Sequence, residues 1–406
     1  MPENFAPDTD QQIRDFVAWA AAEKRRLAIQ GTGTKAGFGY PVDADCVLSL
    51  HRQRGITAYE PAELVMSAKA GTPLEEIEQE LAGHGQALAF DPPRPGRLYP
   101  GNTAAGTIGG VFMGNLSGPR RYVAGAARDH ILGIRAVNGR GEEYKSGGSV
   151  IKNVTGYDLG KLLTGSWGTL SVVTEFTFKV LPLAPVSSTL VITDISVREA
   201  FGLIAHIAQS NCESSGLALV PAQIQPAFRR QADIGGNFIA LRLEGTESSL
   251  RERADAVAGL LPAGANHRLV EGEDSIRIWE SIRDAEVFSD PDHTPALMKL
   301  SIPPSAAPDI SGLIEQLGGC EWYADAAAGW IWVGICQASS EDKINTIRRE
   351  VASFSGSAVL YRAPEAVKRN VGVFSEKPPA LAALSRRIKH SFDPENIFNP
   401  GRLGDL

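Results

Sequence analysis

The sequence is poor in the residues that announce the commonest metal chemistries. Its 406 residues include four cysteines, Cys46, Cys212, Cys320 and Cys336. No two form a C-x-x-C pair, so neither a zinc ribbon nor an iron–sulfur ligand set is spelled out. They read as reduced, mostly buried thiols acting as small hydrophobes in a reducing compartment. The seven histidines are equally dispersed, and without an H-x-H or H-x-x-x-H pattern no metal is expected. An excess of positive charge is missing too. With 40 Lys+Arg against 47 Asp+Glu, a net charge of −7 and no basic run to track a phosphate backbone, nucleic acid is excluded as a general partner. No stretch reaches the roughly 20 apolar residues needed to cross a bilayer. The polar start MPENFAPDTDQQIRDF lacks the basic patch and apolar core of a secretory signal. A cytoplasmic protein is expected, whose membrane contact is peripheral and made through partners.

What is present is a globular balance of 43% apolar and 21% charged residues, over a length that suggests two or three domains. Glycine is unevenly placed: 17 of 42 fall within residues 96–170. Glycine costs backbone entropy when ordered, so such density marks positive φ or close approach of the backbone to something else. A loop-rich β domain with tight turns and a wall built against a large ligand both fit.

Residues Thr9 to Glu23 read as an amphipathic helix with Ile13, Phe16, Val17 and Ala20 on one stripe, followed by a strand at Leu27–Ile29. That strand runs into Gly31-Thr32-Gly33-Thr34-Lys35, a concave run of backbone N–H groups suited to phosphate oxygens. It is not a Rossmann fingerprint, for want of a third glycine opening a helix, and not a nucleoside-triphosphatase loop. Strands follow at Cys46–Leu50 and Leu64–Ala68, then a helix with Thr72 as N-cap and Pro73 at its first position. A second glycine-rich run, Gly106-Thr107-Ile108-Gly109-Gly110 through Asn115, Ser117 and Gly118, offers a further face for the same anion. Beyond it, Ile131–Val137 reads as a strand and Asn138-Gly139 as a hairpin turn. A β-rich run over Ser166–Val180 is broken at Leu181-Pro182-Leu183-Ala184-Pro185, the expected domain boundary.

These blocks, with Lys152-Asn153-Val154-Thr155-Gly156-Tyr157-Asp158-Leu159, Gly165-Ser166-Trp167-Gly168-Thr169-Leu170 and the chain-end run Phe392-Asp393-Pro394-Glu395-Asn396-Ile397-Phe398-Asn399-Pro400-Gly401-Arg402, resemble the FAD-binding domain of the vanillyl-alcohol oxidase/PCMH superfamily. Within it the likeness is greatest to the FAD-binding subunits of bacterial glycolate oxidases. The resemblance implies an α+β fold: a PCMH-type FAD-binding domain of two subdomains, one parallel and one antiparallel (1–185), an α+β cap domain with an antiparallel sheet (186–365), and a helical segment returning to the FAD domain (366–406). It implies that Gly31 to Lys35 and Gly106 to Gly118 hold the pyrophosphate, with Asp129, Gly165, Gly168 and Asn399 in the remaining cofactor blocks and Val173 near the adenine-bearing half. Thr or Lys stands where covalent flavoproteins of the group place a histidine, so non-covalent FAD is expected. Trp167 replaces the usual glutamate of the Ser-Glu-Gly-Thr-Leu block.

A third departure concerns the substrate side. Hydroxy-acid dehydrogenases of this superfamily carry an H-x-G-D-G-N-x-H block, and residues 190–406 hold only His206, His267, His293 and His390. The second half otherwise alternates strands and helices, which suits an antiparallel sheet covered on one face. Trp279-Glu280-Ser281-Ile282-Arg283 looks like the W-x-x-x-R element that such proteins set near the substrate carboxylate, making Arg283 the substrate-side residue, with Tyr361-Arg362 a weaker second. A helix-surface arginine paired with Glu280 or Glu286 fits the same pattern. Three roles remain open. The chain is an FAD subunit oxidising a small 2-hydroxy acid beside a sister FAD-linked dehydrogenase and an iron–sulfur subunit, peripheral to the inner membrane; or an idle FAD-carrying scaffold for that sister; or a free-standing FAD-linked oxidase.

Overall fold

Thr9 opens the first helix by closing a capping box: its hydroxyl accepts from the Gln12 N–H while the Gln12 side chain accepts from the Thr9 N–H. The helix Asp10–Ala22 buries the expected stripe of Ile13, Phe16, Val17 and Ala20. The computed structural model describes residues 4–99, 106–148, 156–224, 234–336 and 341–404; the Lys152–Thr155 part of the glycine-rich motif lies outside them. No helix among the described residues is long and apolar enough to cross a membrane.

Three larger sheets and one two-stranded pair organise the described residues. A parallel sheet runs in the order Asn4–Phe5, Cys46–Ser49, Leu27–Gln30. An antiparallel sheet of five strands follows the order Ile56–Glu60, Val65–Lys69, Val172–Lys179, Ile131–Val137, Glu143–Gly147. One core joins the two, and Ile397 and Phe398 from the chain end belong to it. Leu181–Pro182 pairs with Gln86–Ala87, after which Val186–Thr193 enters the third sheet, so the chain changes sheet within the proline-rich break.

The third sheet has eight strands in the order Asn266–Val270, Val186–Thr193, Phe238–Gly245, Gly216–Val220, Cys320–Asp325, Trp330–Ile335, Ala296–Ser301, Ser357–Arg362. It divides into two β-α-β-β-α-β units, residues 186–270 and 296–362, each with its strands ordered 4-1-3-2, joined edge to edge where Leu219 meets Ala324. This internal repeat left no readable sequence period. Helices Val197–Gln209, Glu247–Ala258, Ala307–Leu317 and Glu341–Ser353 cover one face, burying Leu190, Ile192, Leu217, Leu219, Ile331 and Val333. Alternate residues, among them Val191, Ala218, Val220, Leu297 and Trp332, bury the other face against the helix Gly272–Arg283 and against Phe38, Leu98 and Tyr99 of the first half. The second cavity described below lies along this joint.

Two local expectations need correction. Thr72 does not cap the next helix, which spans Leu74–Gly83 with Pro73 at its cap and no side-chain cap bond. The Thr72 hydroxyl instead donates to the Lys69 carbonyl at 2.7 Å and accepts from Gly55 N–H at 2.9 Å, because it is fully buried where three backbone segments meet. The hairpin after Val137 forms, but its left-handed residue is Gly141 (φ +79°), not Asn138 or Gly139. The Asn138 carboxamide oxygen accepts from Arg140 and Glu142 N–H groups and shapes a longer loop.

Candidate functional site

The strand Leu27–Gln30 delivers the first glycine loop to one wall of a cavity of about 260 Å³. Of the sequence-predicted residues, Gly31, Thr32, Gly33, Thr34, Lys35, Thr107, Gly109, Gly110, Gly168 and Val173 line it. The two loops touch closely: a Cβ at Gly31 would lie 2.5 Å from Thr107 Oγ1, so the walls meet only because position 31 has no side chain. Thr107 caps the helix Ile108–Met113, its hydroxyl accepting from Gly110 N–H at 3.2 Å. Gly106 (φ +91°) stands just outside, where a Cβ would be 2.6 Å from Lys35 Nζ.

Other predicted residues support the cavity from behind. Ile108 is fully buried and donates to the Thr72 carbonyl. Asn115 accepts from Arg128 N–H, Ser117 from Ala127 N–H and Asp129 from Ala126 N–H, so each shapes the turn after the second loop. Gly118 packs on Asp91, whose carbonyl would lie 2.3 Å from a Cβ, and Gly165 (φ +89°) donates to the Phe112 carbonyl. Asn399 ties the Ile29 N–H to the Trp167 carbonyl.

The cavity is electropositive: Lys35 and Arg402, far apart in sequence, line it, and Lys368 lies outside the lining where its charge acts on Arg402. Lys35, Arg402 and Lys368 are only 8%, 8% and 6% exposed. Lys35 Nζ donates to Thr34 Oγ1 at 2.9 Å, Arg402 Nη2 to the Lys35 carbonyl at 2.6 Å, and Lys368 Nζ to the Gly37 and Gly39 carbonyls. None forms an ion pair with a carboxylate among the described residues, and Arg402 Nε has no hydrogen-bond partner. Burial first, then mutual repulsion with Arg402, pushes Lys35 and Lys368 down to about 8; burial lowers Arg402 to about 10. Buried cations without counter-charge cost several kcal/mol, and a bound anion would remove that cost. Two backbone loops at a helix start and a buried ammonium make the donor set a diphosphate takes, so the residues present fit the pyrophosphate of FAD.

A second cavity of about 330 Å³ lies between the eight-stranded sheet and the Asn115–Ser117 turn. Trp167 lines both cavities and stacks on Phe38, ring centroids 3.8 Å apart, at the boundary. Arg283 lines it too, yet its fork is already taken: Nε and Nη2 each donate to Asp284 at 2.9 Å, and Asp91 lies 3.7 Å from Nη1. Asp91 also pairs with Arg242 at 3.3 Å. Two arginines thus face two aspartates and the charge is balanced; the expected partners Glu280 and Glu286 give only a 3.8 Å contact from Glu280.

The uncommitted cations of this cavity are Lys299 and Arg121. Lys299 Nζ sits 3.2 Å from the Trp330 ring centroid and 4.8 Å from that of Trp332, and the Arg121 guanidinium covers Trp330 at 4.9 Å. Neither makes a hydrogen bond or ion pair with a described side chain. Burial lowers Lys299, opposed by the charge of buried Asp325; burial likewise raises Asp325. Strand alternation puts Lys299 and Ser301 beside Trp330, Trp332 and Val359 on the cavity face. Tyr361 lines the same wall, whereas Arg362 is a clamp, donating to the Leu98 and Thr294 carbonyls. The sequence held a signal for Lys299: one ammonium in the middle of Leu297-Met298-Lys299-Leu300, an otherwise apolar strand.

The chain resembles known proteins in both sequence and fold. The FAD binding domain family matches residues 4–147, and the family described as FAD linked oxidases, C-terminal domain, matches residues 370–403. Glycolate oxidase subunit GlcE of Escherichia coli is 34% identical over 400 residues, covering 98% of this chain and 97% of that protein. D-lactate dehydrogenase of Archaeoglobus fulgidus is 25% identical over 99% of this chain and 91% of its own length. In fold, p-cresol methylhydroxylase with substrate bound superposes with a TM-score of 0.72 at 15% identity, covering 99% of this chain and 88% of that one. A 4-ethylphenol oxidase from Gulosibacter chungangensis gives 0.73 at 13%, with the same coverage. The chain belongs to the FAD-linked oxidoreductase family that includes glycolate oxidase subunit GlcE.

Proposed function

We propose that this chain is the FAD-carrying subunit of a complex that oxidises a small 2-hydroxy acid of the glycolate class, with a sister FAD-linked dehydrogenase and an iron–sulfur protein as partners at the periphery of the inner membrane. Residues 1–185 with the returning segment 366–406 would hold FAD, and residues 186–365 would meet the substrate. The observation that carries the reading is the joining of two cavities at Trp167: one with buried, unpaired cations and glycine walls, the other with an unpaired ammonium and guanidinium. The names of the similar proteins, a glycolate oxidase subunit and hydroxy-acid dehydrogenases, support the substrate class.

In this reading the two glycine loops and Lys35 hold the diphosphate, with Arg402 supplying charge through a fixed position on the Lys35 carbonyl. Bound FAD supplies hydride acceptance from the carbon bearing the hydroxyl. Lys299 and Arg121 orient the substrate carboxylate, and the indoles of Trp330 and Trp332 exclude water from it. FAD is held without a covalent bond in this reading, since no histidine, cysteine or tyrosine among the described residues lines the first cavity.

The idle-scaffold reading has one observation in its favour: none of the seven histidines, all among the described residues, lines the second cavity, and histidine is the usual base for the hydroxyl proton. One experiment separates the readings. Acid precipitation should first release all flavin into the supernatant. The purified chain, alone and then with its sister subunit, is next mixed anaerobically with glycolate or D-lactate. Bleaching of this chain's own flavin supports the oxidising role; an unbleached flavin in a complex that turns over leaves the scaffold.

A further inference from the structure

The eight-stranded sheet brings together three side chains that no sequence spacing connects. Glu321 and Cys336 belong to the hairpin of Cys320–Asp325 and Trp330–Ile335. Glu321 pairs with Gly334, and Cys336, two residues on, shares that face; its N–H continues the ladder to the Gly319 carbonyl at 3.0 Å. Gly334 has no side chain, and a Cβ there would lie 2.5 Å from the Phe288 ring and 3.0 Å from Thr294 Cγ2. The segment from Phe288 to Thr294 can therefore lie directly on the hairpin, and it carries His293 over it. That segment is pinned: Thr294 N–H and hydroxyl both donate to the Asp290 carbonyl at 3.0 Å, and Arg362 Nη2 donates to Thr294 Oγ1 at 3.0 Å. His293 Nε2 comes within 2.9 Å of Glu321 Oε1 and 4.0 Å of Cys336 Sγ, and all three ligand atoms lie within 4.8 Å of one another.

We infer that His293, Glu321 and Cys336 form a binding site for a divalent cation of the zinc class, separate from the flavin and substrate cavities. Neither cavity includes any of the three residues. The inference goes beyond the proposed oxidation and does not depend on it. Thiolate, imidazole and carboxylate are the three donor types zinc accepts, whereas calcium and magnesium require shells of oxygen. Bonds of about 2.0–2.3 Å in a tetrahedron separate the donors by roughly 3.3–3.6 Å, so metal binding needs a shift of about half an ångström in the half-exposed imidazole and a closing of the Glu321 carboxylate on the Cys336 thiol by up to about 1.3 Å, within reach of side-chain rotation. On binding, the thiol proton passes to solvent as the sulfur–metal bond forms, the proton that His293 Nε2 shares with Glu321 leaves so that the neutral ring keeps its proton on Nδ1 and offers Nε2 to the metal, and the fourth position takes water.

The test uses the FAD-loaded chain, reduced, stripped with a chelator and titrated with Co²⁺ alone, then with Zn²⁺. One ion per chain should bind, with ligand-field bands to the red of the flavin spectrum that Zn²⁺ abolishes. Cys336→Ser should lose the bands and bind at least tenfold more weakly; His293→Ala and Glu321→Gln should also weaken binding, while Cys212→Ala keeps it. The flavin spectrum reports folding of each variant. Absence of stoichiometric binding, or equal binding by folded Cys336→Ser, overturns the inference and leaves a simple His293–Glu321 hydrogen bond.

Discussion

Asn399 holds Trp167 in place from the far end of the chain: its Nδ2 donates to the Trp167 carbonyl at 2.8 Å while its Oδ1 accepts from Ile29 N–H at 2.8 Å. Both residues have positive φ, +40° at Asn399 and +54° at Trp167, a conformation asparagine tolerates and tryptophan adopts only under constraint. The carboxamide thereby locks the wall shared by the two cavities to the strand that feeds the first glycine loop. Asn399→Ala should lower flavin occupancy of the purified protein severalfold and reduce stability by about 1–3 kcal/mol, the range for leaving buried polar groups unpaired. Asn399→Asp keeps the acceptor but sets a carboxylate against the Trp167 carbonyl, and should do no better. Flavin-to-protein absorbance ratio and thermal unfolding check both; full occupancy in Asn399→Ala would detach the chain end from the cofactor site.

Adjacent glycines in the second loop should fail differently. A Cβ at Gly110 would lie 3.0 Å from Lys35 Nζ, whereas one at Gly109 would lie 2.6 Å from the Ala70 carbonyl. Backbone cannot yield as a side chain does, so Gly109→Ala should lower the melting temperature even in flavin-free protein. Gly110→Val should fold, displace the Lys35 ammonium and lose FAD binding by tenfold or more. Scanning calorimetry and flavin content of the two variants read this contrast, and equal behaviour would refute it.

The affinity for FAD should depend on pH through Lys35. Its ammonium is pushed down to about 8 by burial and by Arg402, and a bound diphosphate would favour the charged form and raise it again. Below about pH 8 both free and loaded protein carry the proton, so affinity is flat. Above it the free protein loses a proton that the complex keeps, and the dissociation constant should rise by up to tenfold per pH unit until the complex itself titrates. Fluorescence of released FAD between about pH 6 and pH 10 measures this, and Lys35→Gln should bind weakly with a flat profile. A wild-type profile that strengthens with rising pH would show that Lys35 does not face the diphosphate.

The glycine loops and strands of the first half were legible because their signals are local: an apolar strand, a left-handed glycine and a cap hydroxyl lie within a few residues. Lys35 was found that way. Arg402 was not, since only the packing of the chain end against Lys35 and Gly39 brings it there. The doubled β-α-β-β-α-β unit escaped for a similar reason: its halves share strand order and helix placement, which demand only alternation, and alternation is met by many sequences. Arg283, expected on the substrate side, does line the second cavity, but its commitment to the next residue, Asp284, required a rotamer that spacing does not reveal. Lys299 shows the converse, a legible anomaly in an apolar strand.

Substitutions at Lys299 and Arg283 should therefore separate orientation of the substrate from support of the cavity. Lys299 is half-buried against two indoles without a carboxylate at hydrogen-bond distance, so its charge is free to be met by a substrate carboxylate. Loss of a charge-assisted contact costs about 1.5–3 kcal/mol, or roughly ten- to a hundredfold. Lys299→Met, which keeps the length and the contact with Trp330, should raise the KM of the complex by that factor at unchanged flavin content. Arg283→Ala removes a cation already matched by Asp284 and Asp91. It leaves two aspartates facing Arg242 alone, so it should lower the melting temperature while changing KM less than Lys299→Met does. Arg283→Lys should recover part of that stability, an ammonium replacing the charge but not the fork. Steady-state kinetics with glycolate and D-lactate decide the matter: a KM rise confined to Arg283→Ala would return the carboxylate to Arg283, and no change in either variant would place substrate turnover in the sister subunit.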